Sequence, residues 1–129
     1  ECQVLMTRFE GDLAALMLAV ATGTLAHAER PLFSHQAALT IVMAANGYPA
    51  APEKGGAVGL AEVSGAIVFH AGTAEINGQL VAIGGRVLNV TATGANVTEA
   101  QAAAYAAVDC IDFSRWLLPQ RYWLERGRA

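Results

Sequence analysis

Short β-branched runs separated by glycine turns fill the middle of the chain, and this alternation constrains the fold more than any other feature. Each run has the length and composition of a β-strand. The four runs cover residues 38–44, 66–71, 80–83 and 86–92. The pair Asn46-Gly47 ends the first run, and Asn77-Gly78 is suited to a tight hairpin turn before the third. Because tight turns join neighbouring strands antiparallel, we predict a small antiparallel sheet here.

An apolar helix pattern precedes the strands. Four apolar residues recur at the i, i+3, i+4, i+7 spacing of one helix face. They are Leu13, Leu16, Met17 and Val20. We predict a buried amphipathic helix over residues 3–21, with a break at Gly11 as an open alternative and an end at Thr22-Gly23. No basic segment precedes the apolar run, and it is shorter than a bilayer requires, so we expect neither a signal peptide nor a membrane span.

A second helix signal follows the strands. Thr98 and Gln101 have the spacing of a capping box, in which each side chain bonds a free backbone N–H group. We therefore predict a helix that begins at Thr98 and continues through Val108. Strands between two helices indicate an α+β fold, here a small antiparallel β sandwich or half-barrel flanked by an N-terminal and a C-terminal helix.

Charge and cysteine content exclude several classes of partner. The net charge is −3 and the chain has one lysine, Lys54, so we expect no binding of nucleic acid. Cys2 and Cys110 lie far apart without a CxxC partner, and no cluster of His, Cys and Asp has the spacing of a metal site. We expect two reduced thiols, no bound metal, no membrane partner and a cytoplasmic location.

Three motifs occur in order along the strand region. They are residues 44–49 (Ala-Ala-Asn-Gly-Tyr-Pro), 68–73 (Val-Phe-His-Ala-Gly-Thr) and 84–92 (Gly-Gly-Arg-Val-Leu-Asn-Val-Thr-Ala). Together they resemble the C-terminal domain of phosphoribosylamine–glycine ligase, also called glycinamide ribonucleotide synthetase, and the resemblance extends over residues 1–113. The opening segment, residues 1–6, is similar to the sequence that follows the ATP-grasp region in that family.

The resemblance implies a ligase of purine biosynthesis. The family joins glycine to 5-phosphoribosylamine and splits ATP to ADP and phosphate through a glycyl-phosphate intermediate. Its C-terminal domain resembles the rudimentary hybrid motif of other ATP-grasp ligases, closes one side of the active site and helps to hold the sugar-phosphate substrate. On this basis residues 1–25 form a helix that follows a missing ATP-grasp region, residues 26–113 form the ligase C-terminal domain, and residues 114–129 form an atypical tail.

The ATP-grasp lysines of the family and its Glu and Asn magnesium ligands have no counterpart in the chain. We therefore expect no cofactor here, with ATP and Mg (or Mn) acting in the parent enzyme, and we expect the isolated chain to be inactive. Two functions stay open. One is a ligase fragment that contributes sugar-phosphate contacts and domain packing; the other is a non-catalytic, self-associating fragment or binding module. Apolar surface left uncovered without the ATP-grasp half favours a homo-oligomer.

The tail departs from the family after Phe113. The family continues with a glycine-rich turn and a Cys-Arg-Arg-Asp-Ile-Gly-Trp-like stretch, whereas residues 114–124 are Ser-Arg-Trp-Leu-Leu-Pro-Gln-Arg-Tyr-Trp-Leu. One choice of codons for these residues, translated one nucleotide later, encodes Pro-Gly-Gly-Phe-Cys-Arg-Arg-Asp-Ile-Gly-Trp. We predict that residues 114–129 are the frameshifted end of a gene. Coding DNA that does not spell the family tail in the shifted frame would contradict this prediction.

Gly84, Gly85 and Arg86 are the best candidates for substrate binding. Two glycines let the backbone approach an anion, and consecutive N–H groups together with an arginine fork can bind phosphate oxygens. The resemblance implies the ligand, 5-phosphoribosylamine or a ribose 5-phosphate-like molecule, and Thr73 is a further candidate contact. The alternative for this segment is a β-bulge with a surface arginine.

Four further residues are candidates for the pocket rim: Glu1, Gln3, His70 and Tyr48. Glu1 and Gln3 would adjoin the family's catalytic segment on the glycine side. His70 ends a strand beside a glycine turn, where a hydrogen bond to the backbone is the alternative role. Tyr48 belongs to a turn that could instead pack against the ATP-grasp half. We predict no catalytic residue and no metal ligand in the chain.

Overall fold

The helices and strands of the chain are taken from a computed structural model, which describes residues 1–113 and the backbone of residues 116–117. The helices are α1 (Cys2–Arg8), α2 (Leu13–Ala21), the 3-10 helix η1 (Leu25–His27) and α3 (Val97–Asp109). The strands are β1 (Phe9–Glu10), β2 (Leu32–Phe33), β3 (Ala37–Ala45), β4 (Gly59–Leu60), β5 (Ala66–His70), β6 (Thr73–Ile76), β7 (Gln79–Ala82), β8 (Arg86–Gly94), β9 (Ile111–Asp112) and β10 (Trp116–Leu117). In this part of the chain, no helix is both long and apolar enough to cross a membrane.

Two nine-residue strands, β3 and β8, form the centre of the main sheet. They pair antiparallel from Ala37 opposite Gly94 to Ala44 opposite Arg86, with a bulge after Met43. β5 pairs with the other side of β8, and β10 pairs with the end of β3, so the strand order is β10-β3-β8-β5. The β-branched runs at 38–44, 66–71 and 86–92 therefore lie side by side.

α3 packs across β3 and β8 and covers the main core. Its buried face carries small residues, Ala100, Ala104 and Ala107, which let the helix backbone approach the sheet closely. The largest fully buried side chains are Phe113, Met43, Leu88, Val87, Val90, Val108 and Thr91. Each of the large apolar ones contributes about 1.5–3 kcal/mol by leaving water. The Thr91 hydroxyl is paired with that of Thr40 across the strands, at 2.7 Å.

The predicted turns form at the expected positions. Asn77 and Gly78, with φ of 53° and 75°, join β6 to β7 in a tight hairpin. Gly47, with φ of 80°, turns the chain after β3. All described strand pairs are antiparallel. Along the sequence, helices both precede and follow the main strands. The predicted α+β class is confirmed.

The continuous N-terminal helix predicted over residues 3–21 is wrong. Gly11, with φ of 153°, and the short strand β1 separate α1 from α2, so the break considered at Gly11 is the observed one. The end of α2 at Thr22-Gly23 agrees with the prediction. The predicted atypical tail, residues 114–129, lies outside the described residues except for the backbone pairing of β10 with β3.

The prediction that the second part of this helix is buried is also wrong. Leu13, Met17 and Val20 are exposed, and Ala19 is the buried residue of α2. It is α1 that packs against β3 and β8, whereas α2 packs against η1. Every residue of α2 is apolar, so its sequence does not specify which side should face a core.

The predicted capping box of the last helix is wrong by two residues. Asn96 is the N-cap: its Oδ1 accepts the Glu99 N–H at 3.0 Å. Glu99 Oε2 in turn accepts the Ala95 N–H at 3.0 Å, and Glu99 Oε1 accepts a hydrogen bond from Asn96 Nδ2 at 2.9 Å. The Asn96–Glu99 pair has the same spacing as Thr98–Gln101 and satisfies the same kind of backbone donors, so α3 begins at Val97.

Candidate functional site

Three loops meet at one end of the main sheet: the turn after β3, the loop after β5 and the segment before β8. Antiparallel pairing brings them together, because β3 and β5 end where β8 begins. We call this region the three-loop end. The predicted site residues Tyr48, His70, Thr73 and the segment 84–86 all lie in these loops or next to them.

Gly72 and Gly84 are in backbone contact at the three-loop end. The Gly72 N–H donates to the Arg86 carbonyl at 2.8 Å, and the Gly72 carbonyl accepts the N–H groups of Ile83 (2.8 Å) and Gly84 (3.2 Å). A Cβ on Gly72 would lie 2.6 Å from the Arg86 carbonyl oxygen and 2.9 Å from Gly84 Cα. The contact therefore depends on glycine at position 72. Gly72 belongs to the 68–73 motif, but it is not among the site residues predicted from the sequence.

Gly85 lies beneath the ring of Tyr48. A Cβ on Gly85 would be 2.5 Å from Tyr48 Cδ2 and 3.3 Å from Pro52 Cγ. The Gly85 carbonyl accepts the Ala45 N–H at 2.8 Å, which ties the segment before β8 to the end of β3. Tyr48 is 42% exposed, so it covers the glycine without being buried itself.

Arg86 begins β8, and its side chain is exposed. It pairs with Ala44 across the bulge, where Val87 is the extra residue of β8. Within the described part of the chain, the guanidinium has no hydrogen bond and no ion pair. The β-bulge considered as the alternative to a binding segment is thus present, and it leaves the arginine fork available to an anion.

His70 and Thr73 are joined through their side chains. His70 Nδ1 and Thr73 Oγ1 lie 2.9 Å apart and share a hydrogen bond. The histidine is therefore held by a hydroxyl group rather than by the backbone contact considered from the sequence. His70 is exposed, and its Nε2 has no partner among residues 1–113. The hydrogen bond orients the imidazole and leaves Nε2 able to bind a ligand.

The glycine pair offers fewer backbone donors than its sequence indicates. The Gly84 N–H already donates to the Gly72 carbonyl, whereas the Gly85 N–H has no backbone partner in residues 1–113. The segment before β8 therefore offers one unpaired N–H, next in sequence to Arg86, instead of the two that an anion nest at Gly84-Gly85 would supply. The capacity of this segment to bind an anion depends mainly on the arginine side chain.

Glu1 and Gln3 lie apart from these interactions. The Glu1 carbonyl accepts the Leu5 N–H at 3.2 Å and the Gln3 carbonyl accepts the Thr7 hydroxyl at 2.7 Å, both within the first helix. In the described residues, no hydrogen bond or ion pair connects Glu1 or Gln3 to the three-loop end. The structure thus brings together the predicted residues of the strand region, whereas Glu1 and Gln3 make their hydrogen bonds within the first helix.

A cavity of about 500 Å³ lies in the N-terminal part of the chain. Its walls come from residues 9–32, so it shares no residue with the three-loop end. We call it the N-terminal cavity. No local sequence pattern marks this cavity, because its walls form only when the chain bends at Gly11 and α2 packs on η1. Neither here nor elsewhere in the described residues do three or more His, Cys, Asp or Glu side chains cluster as metal ligands would.

Comparison with known proteins identifies the domain. The family model described as phosphoribosylglycinamide synthetase, C domain, matches residues 38–118, which is more than half of the chain. The chain belongs to this family. The matched segment contains all three loops of the three-loop end, whereas Glu1 and Gln3 precede it. The resemblance inferred from the three motifs is confirmed.

Relatives of this C domain are considerably longer proteins. A phosphoribosylamine–glycine ligase of Mesorhizobium japonicum is 55% identical over 116 residues, which make up 88% of this chain and 27% of the relative. A ligase of the same name from Vigna unguiculata is 42% identical over 135 residues, covering 100% of this chain and 43% of the relative. The crystal structure of phosphoribosylamine–glycine ligase from Thermotoga maritima matches with a TM-score of 0.67 and 36% identity, over 81% of this chain and 26% of that one. The chain spans about a quarter of the length of the bacterial ligases.

Proposed function

We propose that this C domain holds the phosphate of 5-phosphoribosylamine at the three-loop end for a phosphoribosylamine–glycine ligase. The ligase joins glycine to 5-phosphoribosylamine with hydrolysis of ATP, a step of purine biosynthesis. The observation that carries the proposal is Arg86: this residue is exposed, its backbone lies where the three loops meet, and its side chain has no partner within the described residues.

Arg86 has the chemistry that a sugar phosphate requires. A phosphate monoester carries a charge of about −1.5 to −2 at neutral pH, and the planar guanidinium can donate two parallel hydrogen bonds to its oxygens. The Gly85 N–H and His70 Nε2 are further donors without partners among residues 1–113. Thr73 orients the imidazole, so the phosphate would meet a positioned group.

The domain contributes substrate positioning and packing rather than the chemical step. Phosphoryl transfer depends on Mg²⁺ held by carboxylates and substrate phosphates. The groups proposed to contact the substrate are an arginine, a histidine, a threonine and a glycine N–H, and these do not supply carboxylate ligands. ATP and Mg²⁺ (or Mn²⁺) therefore act in the remaining part of a cytoplasmic ligase, and the chain alone is expected to be inactive.

Titration of the isotopically labelled chain with ribose 5-phosphate, followed by NMR, tests the proposal. We expect shift changes at Gly85, Arg86 and His70, and binding at least about tenfold weaker in Arg86→Ala, because a charge-assisted hydrogen bond contributes about 1.5–3 kcal/mol. Arg30→Ala, which removes an exposed arginine outside the three-loop end, should bind as the unchanged chain does. Ribose without phosphate should cause no comparable shifts. Equal affinity of Arg86→Ala and the unchanged chain would contradict the proposal.

A further inference from the structure

Tyr48 is held in place by the turn that follows β3. Its N–H donates to the Ala45 carbonyl at 3.1 Å, and the Ala45 N–H donates in turn to the Gly85 carbonyl at 2.8 Å. The Gly47 carbonyl accepts the Ala51 N–H at 2.8 Å, which closes the turn around the tyrosine. These backbone hydrogen bonds fix the position of Tyr48 relative to the segment before β8.

One edge of the Tyr48 ring packs against the backbone of Gly85. A Cβ on Gly85 would lie 2.5 Å from Tyr48 Cδ2 and 3.1 Å from Tyr48 Cε2, which is too close for a side chain. Gly85 has no left-handed φ, so this position needs glycine because the ring occupies the space that a side chain would take. Tyr48 is thus packed on the residue that directly precedes Arg86.

The rest of the Tyr48 side chain is open to solvent. The residue is 42% exposed. In the part of the chain that the structure describes, its hydroxyl group has no hydrogen-bond partner. Tyr48 therefore presents an apolar ring together with an unused O–H group that can both donate and accept.

The sugar of a pentose phosphate has both properties that such a side chain can recognise. Its C–H groups can pack on an aromatic ring, and its hydroxyl groups can share hydrogen bonds with a phenol O–H. A phosphate without a sugar offers neither. The guanidinium of Arg86 recognises only the phosphate, so a second group is needed to distinguish the two ligands.

We propose that Tyr48 is a specificity-determining residue of the three-loop end. Its ring packs on the sugar of a pentose phosphate that is bound at Arg86, and its hydroxyl group shares a hydrogen bond with a sugar hydroxyl. The inference rests on the proposed function, because it requires the phosphate to be held at Arg86. It adds the group that selects a pentose phosphate over a phosphate without a sugar.

The relative affinities for ribose 5-phosphate and inorganic phosphate, measured by NMR titration, test the inference. We expect the unchanged chain to prefer ribose 5-phosphate. Tyr48→Phe removes only the hydroxyl group and should lower this preference about three- to tenfold, the loss that one neutral hydrogen bond produces. Tyr105→Phe is the matched control: it removes the same group from α3 and should leave the preference unchanged.

A substitution at Gly85 tests the role of the ring. Gly85→Ala places a methyl group where the edge of the Tyr48 ring lies, so it displaces the ring without changing the tyrosine itself. The preference for ribose 5-phosphate should fall at least as far as in Tyr48→Phe, because the ring contact is lost with the hydroxyl contact. Circular dichroism verifies that each variant folds.

The ring signals of Tyr48 give a direct measurement on the unchanged chain. They are assigned by their loss in Tyr48→Phe. They should shift when ribose 5-phosphate is added, and much less when inorganic phosphate is added, because only the first ligand brings a sugar to the ring. Ring signals that respond equally to both ligands, or to neither, would overturn the inference.

The outcomes separate this inference from the proposed function. If Arg86→Ala weakens the binding of both ligands but Tyr48→Phe keeps the preference of the unchanged chain, the phosphate site stands and the tyrosine contact is overturned. The same holds if the unchanged chain binds both ligands equally well. If neither ligand binds, or if Arg86→Ala binds both as before, the proposed function fails and the inference fails with it.

Discussion

At position 72, the absence of a side chain brings the β5 loop against the start of β8. The Gly72 N–H and carbonyl are both bonded to the segment 83–86, and an added Cβ would meet the Arg86 carbonyl oxygen at 2.6 Å. Neither Gly72 nor Gly85 has a left-handed φ, so both positions require glycine for lack of space rather than for backbone conformation. Arg86 and the His70–Thr73 pair are therefore held close together by a contact between backbones.

Gly72→Ala should destabilise the chain by about 1–3 kcal/mol, because backbone atoms must move to accept the methyl group. Urea unfolding measures the change in the free energy of unfolding. Gly65→Ala is the matched comparison: its Cβ would meet nothing within 4 Å, but its φ is 76°, so its cost of about 1 kcal/mol would come from backbone conformation alone. Ribose 5-phosphate binding should weaken in Gly72→Ala and persist in Gly65→Ala. Unchanged stability and binding in Gly72→Ala would show that this contact is not needed.

At the scale of elements, local patterns predicted the strands and turns well. The Asn77-Gly78 turn and the β-branched runs depend on neighbouring residues, which any local pattern contains. The predicted start of α3 was wrong because two overlapping residue pairs, Asn96–Glu99 and Thr98–Gln101, have the spacing of a capping box. The sequence does not indicate which of the two pairs caps the helix. The predicted burial of α2 was wrong because burial depends on which other element the helix packs against. A helix that is apolar on every side does not specify which face should be packed.

The two competing caps of α3 can be separated by mutation. Asn96→Ala should lower the free energy of unfolding by about 1 kcal/mol, because the Glu99 N–H loses its acceptor. Thr98→Ala should change it by less than about 0.5 kcal/mol, because Thr98 lies inside the first turn, where alanine is a good helix former. Thermal unfolding followed by circular dichroism compares the two variants. A larger loss in Thr98→Ala than in Asn96→Ala would favour the cap predicted from the sequence.

At the scale of the whole molecule, the site could be predicted only in part. The three motifs could be recognised because they occur in a fixed order along the chain. Antiparallel pairing of β3, β8 and β5 then brings the ends of these motifs together. The contact of Gly72 with Gly84 and the covering of Gly85 by Tyr48 depend on distances that no local pattern contains. The N-terminal cavity was missed for the same reason, because its walls come from elements on both sides of the Gly11 break.

Amide hydrogen exchange should be fast in α2 and slow in the central strands β3 and β8. Amides of β3 and β8 lie in the covered sheet, whereas α2 has one buried residue, so α2 should exchange at least about tenfold faster. Mass spectrometry of peptides from 13–21 and 86–94 measures both rates in one sample. Equal rates in the two peptides at high dilution would contradict this prediction.

The bulge in β8 also sets the phase of the strand. In a regular strand, residues two apart face the same side, so Arg86 would share a side with Leu88, whose side chain is 0% exposed. Val87 is the inserted residue that breaks this alternation, and Arg86 is exposed. Deletion of Val87 would restore regular pairing and make Arg86 the direct neighbour of Leu88, and adjacent residues of a regular strand face opposite sides. The guanidinium would therefore stay on the side away from Leu88, and the core would lose the buried side chain of Val87.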